Sequence, residues 1–247
     1  MRLIVLIPTF NEANTIIKVL EQIYLILNKN NKKYKNIKKF LILILDDFST
    51  DNSKVKIKGY ISNKNNNKIM FKYKKSKKNI GKSAIVFNEI KKLKQNDIIF
   101  ITDGDTELPS SNINFFLDNF FSRNVDIICG VRKLNANNQA FYDYIFYLIG
   151  IKFTNFLINF GFKNKIVDIH CGQKMFKFIK FPAFFCFRFS IDTELSLYFL
   201  KQNKKNFNLL LNNYKRRSLE EGKKLKFFNG VSLIFQTILI KFLSIFR

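Results

Sequence analysis

Three observations predict an α/β fold with a mostly parallel sheet. Four short runs, residues 2–7, 40–45, 97–102 and 125–131, are apolar through both faces and rich in Ile and Leu. Strands covered by helices on both sides read this way. Segments with a helical apolar stripe lie between them, and each run ends in polar, mostly charged residues.

The elements follow in order. The first run ends in Pro8-Thr9-Phe10-Asn11-Glu12, and residues 12–28 carry Ile16, Val19, Leu20, Ile23 and Leu27 at helical spacing. The second run ends in Asp46-Asp47-Phe48-Ser49-Thr50-Asp51. Residues 62–78 are Lys/Asn-rich and read as a loop around a short strand at 69–73. Residues 79–93 form a second helical stripe through Ile80, Ala84, Phe87 and Ile90. After the third run, Pro109 marks a boundary and Ser110 or Ser111 caps a helix through Phe121. The fourth run leads to Arg132. Further on, Val167 to Phe176 reads as a loop entering a strand, and Phe189 to Leu195 starts a helix.

In open α/β sheets, ligands bind beyond the carboxyl ends of the strands. One crevice therefore gathers Glu12, Asp46, Asp47, Asp103, Asp105 and Arg132. Clustered carboxylates repel unless a cation or donor groups compensate them. In Asp103-Gly104-Asp105, alternate residues of an extended segment face one way. Hard oxygens so placed suit Mg²⁺ or Mn²⁺, a metal usually shared with substrate phosphates. The plain alternative is a solvated turn.

Other motifs carry less. Gly81-Lys82-Ser83 lacks the upstream glycine of a phosphate loop, because position 76 is Ser. Asp192 and Glu194 stand in the first turn of their helix, where pairing with the helix dipole is the ordinary reason for acids. His170, the sole histidine, has no second His or paired Cys nearby and reads as a loop residue.

The chain has 247 residues, enough for one α/β domain, with no linker and no repeat. The N-terminus enters a strand at once, so no signal or transit sequence is expected. Cys129, Cys171 and Cys186 show no metal spacing and no disulfide framework, which suits a reducing, cytosolic setting. A net charge of +25 invites a nucleic-acid reading, but the excess is mainly Lys, with seven Arg, and it rises together with Asn, Ile and Phe, all of A/T-rich codons. No nucleic-acid partner is expected; the lysines read as solvated faces or as attraction to an anionic membrane.

Two hydrophobic regions stand outside the sheet pattern. Residues 141–162 hold Tyr142, Tyr144, Phe146, Tyr147, Phe153, Phe156 and Phe160. Residues 227–246 hold Phe228, Leu233, Ile234, Phe235, Ile238, Leu239, Phe242 and Leu243, with basic residues before them and Lys241 inside. Neither is a clean transmembrane span. Both read as amphipathic helices at a membrane surface, with core or dimer packing as the alternative. The expected division is a catalytic domain, 1–224, and a membrane-associating helix, 225–247.

Taken in order, Pro8-Thr-Phe-Asn-Glu12, Leu45-Asp-Asp-Phe-Ser-Thr-Asp51, Asn79-Ile-Gly-Lys82, Asp103-Gly-Asp105, Gly130-Val-Arg132, Asp168-x-x-Cys-Gly172 and Phe189-x-x-Asp192-x-Glu194 resemble a family 2 glycosyltransferase. The nearest branch is the dolichyl-phosphate glucosyltransferase and mannosyltransferase type, with its bacterial polyprenyl-phosphate relatives. The resemblance covers about residues 3–200. It implies a nucleotide-diphospho-sugar transferase (GT-A, Rossmann-like) fold, inversion at the anomeric carbon and a peripheral enzyme at the cytoplasmic membrane face. It implies that Pro8, Glu12 and Asp46 or Asp47 line the nucleotide, and that Lys82 lies near the diphosphate or base. Asp103 and Asp105 hold Mg²⁺ or Mn²⁺, Arg132 meets the acceptor phosphate, and Asp168 and Asp192 sit near sugar and acceptor. A UDP- or GDP-sugar donor and a polyprenyl phosphate acceptor follow, with glucose favoured over mannose.

The chain departs from that pattern at Ser83-Ala84, where relatives carry two glycines, and at Gln173, where they carry an aromatic. A second arginine of some mannosyltransferases has no counterpart near Phe146, and the nearest base is Lys152. Two rival readings remain at this point: the same donor chemistry with a saccharide acceptor, for which Asp168 or Asp192 would serve as base, and a non-enzymatic basic protein on membrane or nucleic acid.

Overall fold

The computed structural model describes residues 1–30, 32–133, 141–215, 217 and 227–246. The boundary expected between residues 224 and 225 lies outside them, as do the side chains of Tyr142, Tyr144, Phe146, Tyr147 and Phe228.

Seven strands form one sheet in the order β3-β2-β1-β4-β6-β5-β7. They are β1 (Arg2–Thr9), β2 (Lys39–Asp46), β3 (Ile69–Lys75), β4 (Ile98–Ile101), β5 (Ile127–Arg132), β6 (Lys174–Lys177) and β7 (Asn206–Leu211). All pairings are parallel except those of β6, which runs antiparallel to β4 and β5. The four apolar runs are all present as parallel strands, β1, β2, β4 and β5, and the strands read at 69–73 and near Phe176 are β3 and the antiparallel β6.

Leu3 to Ile7 of β1 have no solvent exposure. The two-residue period of the strand divides them between two cores. Leu3, Val5 and Ile7 join helices α1 (Ile16–Lys29), α2 (Ser53–Ile61) and α4 (Ile113–Arg123) on one face. Ile4 and Leu6 join α3 (Lys82–Ile90) and α6 (Ile191–Lys201) on the other, with Ile158 of α5 (Phe141–Asn159) and Ile240 of α7 (Phe227–Leu243). Each such side chain contributes about 1.5–3 kcal/mol on burial. The stripe read for α1 is the buried one: Ile16, Val19, Leu20, Ile23 and Leu27.

Two helix starts differ from expectation. The stripe through Ile80 suggested a start at residue 79, yet α3 begins at Lys82. The amides of Ile80 and Gly81 donate instead to the Asp47 carboxylate, at 2.7 and 2.8 Å. Gly81 has φ +88°, and a Cβ there would lie 3.1 Å from Arg188 Cα, so glycine suits it on both counts. Ser110 to Asn112 form a 3₁₀ turn, and Asn112, not a serine, precedes α4.

Helices α5 and α7 lie side by side. A Cβ on Gly150 would lie 3.3 Å from Ile234, and Lys241 donates to the carbonyls of Ile158 and Phe160 at 3.2 and 2.9 Å. A lysine on the last carbonyls of α5 satisfies groups a helix end leaves open and matches its dipole. Their outer faces expose Ile149, Phe153 and Phe156 on one helix and Val231, Phe235 and Phe242 on the other. Among the described residues, no helix is long and apolar enough to cross a membrane.

Candidate active site

The strand order reverses between β1 and β4, and ligands of open α/β sheets bind at such a point. Because β6 is antiparallel, its first residue, Lys174, pairs with the last of β4, Ile101. The segment entering β6 therefore meets the tip of β4. A Cβ on Gly172 would lie 2.1 Å from Asp103 Oδ2, so the loop backbone rests on that carboxylate.

Asp103 starts a line of alternating charges. Lys82 Nζ lies 2.8 Å from Asp103 Oδ1 and 3.1 Å from Asp192 Oδ2. Lys174 Nζ reaches Asp192 Oδ1 at 3.5 Å and donates to the carbonyls of Ile169 and Cys171 at 2.9 and 2.6 Å. Lys174 is wholly buried. Burial opposes the charge on Lys82, but Asp103 and Asp192 outweigh it and hold the ammonium above the usual lysine range. Burial likewise works against ionised Asp192, and Lys82 and Lys174 overcome it, keeping the carboxyl below its ordinary range.

Asp105 lies past the end of the strand, in a bend, and still feels the charge of Asp103. β4 ends at Ile101 and the chain bends through residues 104–108, with Thr106 at φ +64°. The two acids thus do not alternate along a strand, as the spacing had suggested. Asp105 Oδ1 accepts from Glu107 N at 3.0 Å, and Oδ2 lies 3.2 Å from Arg217 Nη2. Arg217 also forks onto Glu12, with Nη1 to Oε2 at 3.0 Å and Nη2 to Oε1 at 3.2 Å. Burial, then Asp103 and Glu107, push the Asp105 carboxyl well above its usual range against the opposing pull of Arg217.

Asp46 and Asp47 are bound to protein groups. Asp46 accepts from Ser49 N at 2.7 Å and from the Tyr73 hydroxyl, which fixes the turn after β2. Asp47 holds the turn before α3, and so aims Lys82. The β1 and β2 tips are laced together: Asn11 N donates to Ser49 Oγ at 2.9 Å, and Glu12 N donates to Ser53 Oγ at 3.0 Å. Pro8 is the penultimate residue of β1, with its carbonyl facing Gly104.

At the tip of β5, Arg132 forks onto Asp168, Nε to Oδ2 at 2.7 Å and Nη2 to Oδ1 at 2.8 Å, and sits 5.5 Å from the centre of the Tyr214 ring. Burial would raise the Asp168 carboxyl, but Arg132 holds it below the usual range. His170 contacts Thr154 and Thr193 at 2.9 and 3.4 Å, and burial keeps its imidazole down at about 4.

The two departures from the family pattern have structural partners. Ser83 Oγ accepts from Ile191 N at 2.9 Å and joins α3 to α6. Gln173 donates to Thr102 Oγ1 and the Pro109 carbonyl, both at 3.1 Å, and accepts from Asn112, which secures both ends of the bend carrying Asp105. Glu194, besides standing in the first turn of α6, accepts from the amides of Phe185 and Cys186 at 2.6 and 3.1 Å and pins that loop.

The carboxylate oxygens of Asp103 and Asp105 are donors of the kind a hard divalent cation takes, and Lys82 and Arg217 balance their charge in the structure described. Among the described residues, no group of three or more His, Cys, Asp or Glu could hold a metal. Two carboxylates would then hold the ion together with substrate oxygens and water, the usual pattern for Mg²⁺.

The profile of "Glycosyl transferase family 2" matches residues 4–185. The chain belongs to that family. As a family 2 glycosyltransferase it shares its fold with solved structures of low sequence identity. Mannosyl-3-phosphoglycerate synthase from Rubrobacter xylanophilus is 12% identical with a TM-score of 0.63, over 96% of this chain and 73% of that one. TarS 1–349 of S. aureus, in complex with UDP-GlcNAc, is 16% identical with a TM-score of 0.54, over 97% and 67%. The mannosyltransferase PcManGT from Pyrobaculum calidifontis, in complex with GDP-Man and Mn²⁺, is 13% identical with a TM-score of 0.54, over 97% and 69%. No curated protein matches the sequence.

Proposed function

We propose that this family 2 glycosyltransferase moves a hexose, with inversion, from a UDP- or GDP-sugar to a polyprenyl or dolichyl phosphate. The observation that carries the acceptor class is the state of its two candidate bases. Asp168 is forked by Arg132, and Asp192 lies between Lys82 and Lys174. A carboxylate held in an ion pair is a poor proton acceptor, and a hydroxyl acceptor needs a good one. A phosphate monoester is already an anion and needs none.

Donor binding is assigned to the β1–β2–α3 side, with Pro8, Glu12, Asp46 and Asp47 shaping the nucleotide end and Lys82 meeting the diphosphate. The sugar nucleotides held by the TarS and PcManGT structures support such a donor. Asp103 and Asp105 would hold Mg²⁺ or Mn²⁺, and the ion would supply Lewis-acid stabilisation for charge on the departing diphosphate. Arg132 is assigned to the acceptor phosphate through the guanidinium edge that Asp168 does not take, Nη1 with the remaining Nη2 hydrogen, while Nε and Nη2 keep the fork on Asp168. Glucose is the favoured sugar, mannose the alternative.

The exposed aromatic faces of α5 and α7 support attachment to a membrane surface, which we assign to the cytoplasmic side. A comparison of acceptors tests the reading. Polyprenyl phosphate is expected to accept label, while the matching polyprenol and free oligosaccharides stay unlabelled. Efficient transfer to an oligosaccharide, with none to the lipid phosphate, would move the acceptor to the saccharide class.

A further inference from the structure

The segment after β7 enters the crevice and carries a charge that nothing above assigns to the reaction. Lys215 N donates to the Glu107 carbonyl at 2.9 Å, and Arg217 N donates to Glu107 Oε1 at 3.1 Å. Two backbone amides thus fasten this strap to the bend that follows Asp105. From that anchor, the Arg217 guanidinium lies between Glu12 and Asp105, with 11% of the side chain exposed.

We propose that Arg217 is the counter-cation of the ligand-free site and that the divalent metal displaces it from Asp105. The inference rests on the metal reading of Asp103 and Asp105. A carboxylate oxygen engaged by a guanidinium has less of its lone-pair density to offer a cation, and two positive charges at one oxygen repel. The guanidinium keeps its fork on Glu12 and is then close to wherever the anionic diphosphate meets the metal. Arg217 is therefore a positioning residue that exchanges one anion for another as the site loads. It keeps Glu12 and Asp105 from repelling each other before that.

Mn²⁺ alone, without donor, is the probe, followed by the electron paramagnetic resonance signal of the free ion. Arg217→Gln is expected to bind Mn²⁺ about tenfold tighter than the wild type, because no charge-assisted hydrogen bond must first be broken. Lys215→Gln removes the same charge from the same strap and is expected to stay within about twofold. Thermal melts without metal establish that each variant is folded. Should Arg217→Gln misfold, Arg217→Lys, which keeps the charge and loses the fork, is expected to bind more tightly than the wild type by a smaller factor. Wild-type binding that a folded Arg217→Gln or Arg217→Lys leaves unchanged or weakens would overturn the displacement alone. Absence of Mn²⁺ binding in the wild type, with UDP present, would remove the metal reading and this inference together.

Discussion

Gly172 and Asp103 meet so closely that a Cβ on residue 172 would lie 2.1 Å from the Asp103 carboxylate oxygen and 3.3 Å from Lys82 Nζ. The backbone between β5 and β6 is therefore a wall of the site. Gly172→Ala must push Asp103 aside. Its expected signature is a fall in kcat of about a hundredfold or more, in line with misplacement by an ångström or so. Unfolding free energy should change by less than about 2 kcal/mol. Steady-state kinetics beside urea denaturation check this, and unchanged kcat would mean that Asp103 has room to move.

Lys174 holds that wall in place. Its buried ammonium serves two carbonyls and Asp192. Lys174→Met keeps the stem but strands all three acceptors. A loss of about 3–5 kcal/mol in unfolding free energy is expected, the range for breaking a buried ion pair by removing one partner. A shift of the denaturation midpoint worth under 1 kcal/mol would contradict it.

Asp47→Asn tests the link between the β2 tip and Lys82. An amide has one acceptor oxygen to offer Ile80 N and Gly81 N, where the carboxylate offers two. Donor KM should rise severalfold, with about 1–3 kcal/mol of stability lost. Equal loss of kcat with unchanged KM would assign Asp47 to chemistry instead.

His170 gives the fold a dependence on acid. Its imidazole is held at about 4 in the folded protein, below the ordinary 6.5. Between those values the unfolded chain binds a proton that the native one does not, so stability falls as pH drops from about 6.5 to about 4 and is unaffected above. Roughly 2–3 kcal/mol is at stake. The difference in unfolding free energy between pH 7 and pH 4.5 should shrink by that order in His170→Gln; an equal pH dependence in both proteins would count against a half-buried imidazole kept neutral.

Phe235 and Phe242 stand two turns apart on the exposed side of α7. Phe235→Asp with Phe242→Asp should reduce sedimentation with anionic vesicles by at least about tenfold, since each aromatic lost removes 1.5–3 kcal/mol of burial. Transfer to a short, water-soluble lipid phosphate should be retained. Undiminished sedimentation would return α5 and α7 to ordinary packing.

Much of this architecture is legible in the residues themselves. Runs apolar on both faces, such as Leu3 to Ile7, have one physical solution, burial between two helical layers, and their polar ends then converge. Less is legible where tertiary pairing overrides local pattern. β6 reads as a strand, but only its neighbours make it antiparallel. α2 is basic and buries only Ser53 and Ile57, and β7 is short and interrupted by Asn208, so neither carries a strong periodic signal. Arg217 sits in a lysine-rich stretch like any solvated base, and its meeting with Glu12 spans 205 residues of sequence. Asp46 and Glu194 were visible as acids, but their backbone and tyrosine partners were not.

The most direct test is transfer itself. Purified protein with Mn²⁺, polyprenyl phosphate and radiolabelled UDP-glucose or GDP-mannose should carry label into the organic phase. That label should vanish with EDTA and in Asp103→Asn. Persistence of transfer in folded Asp103→Asn, or of EDTA-resistant transfer by the wild type, would contradict a metal-dependent site at the tip of β4.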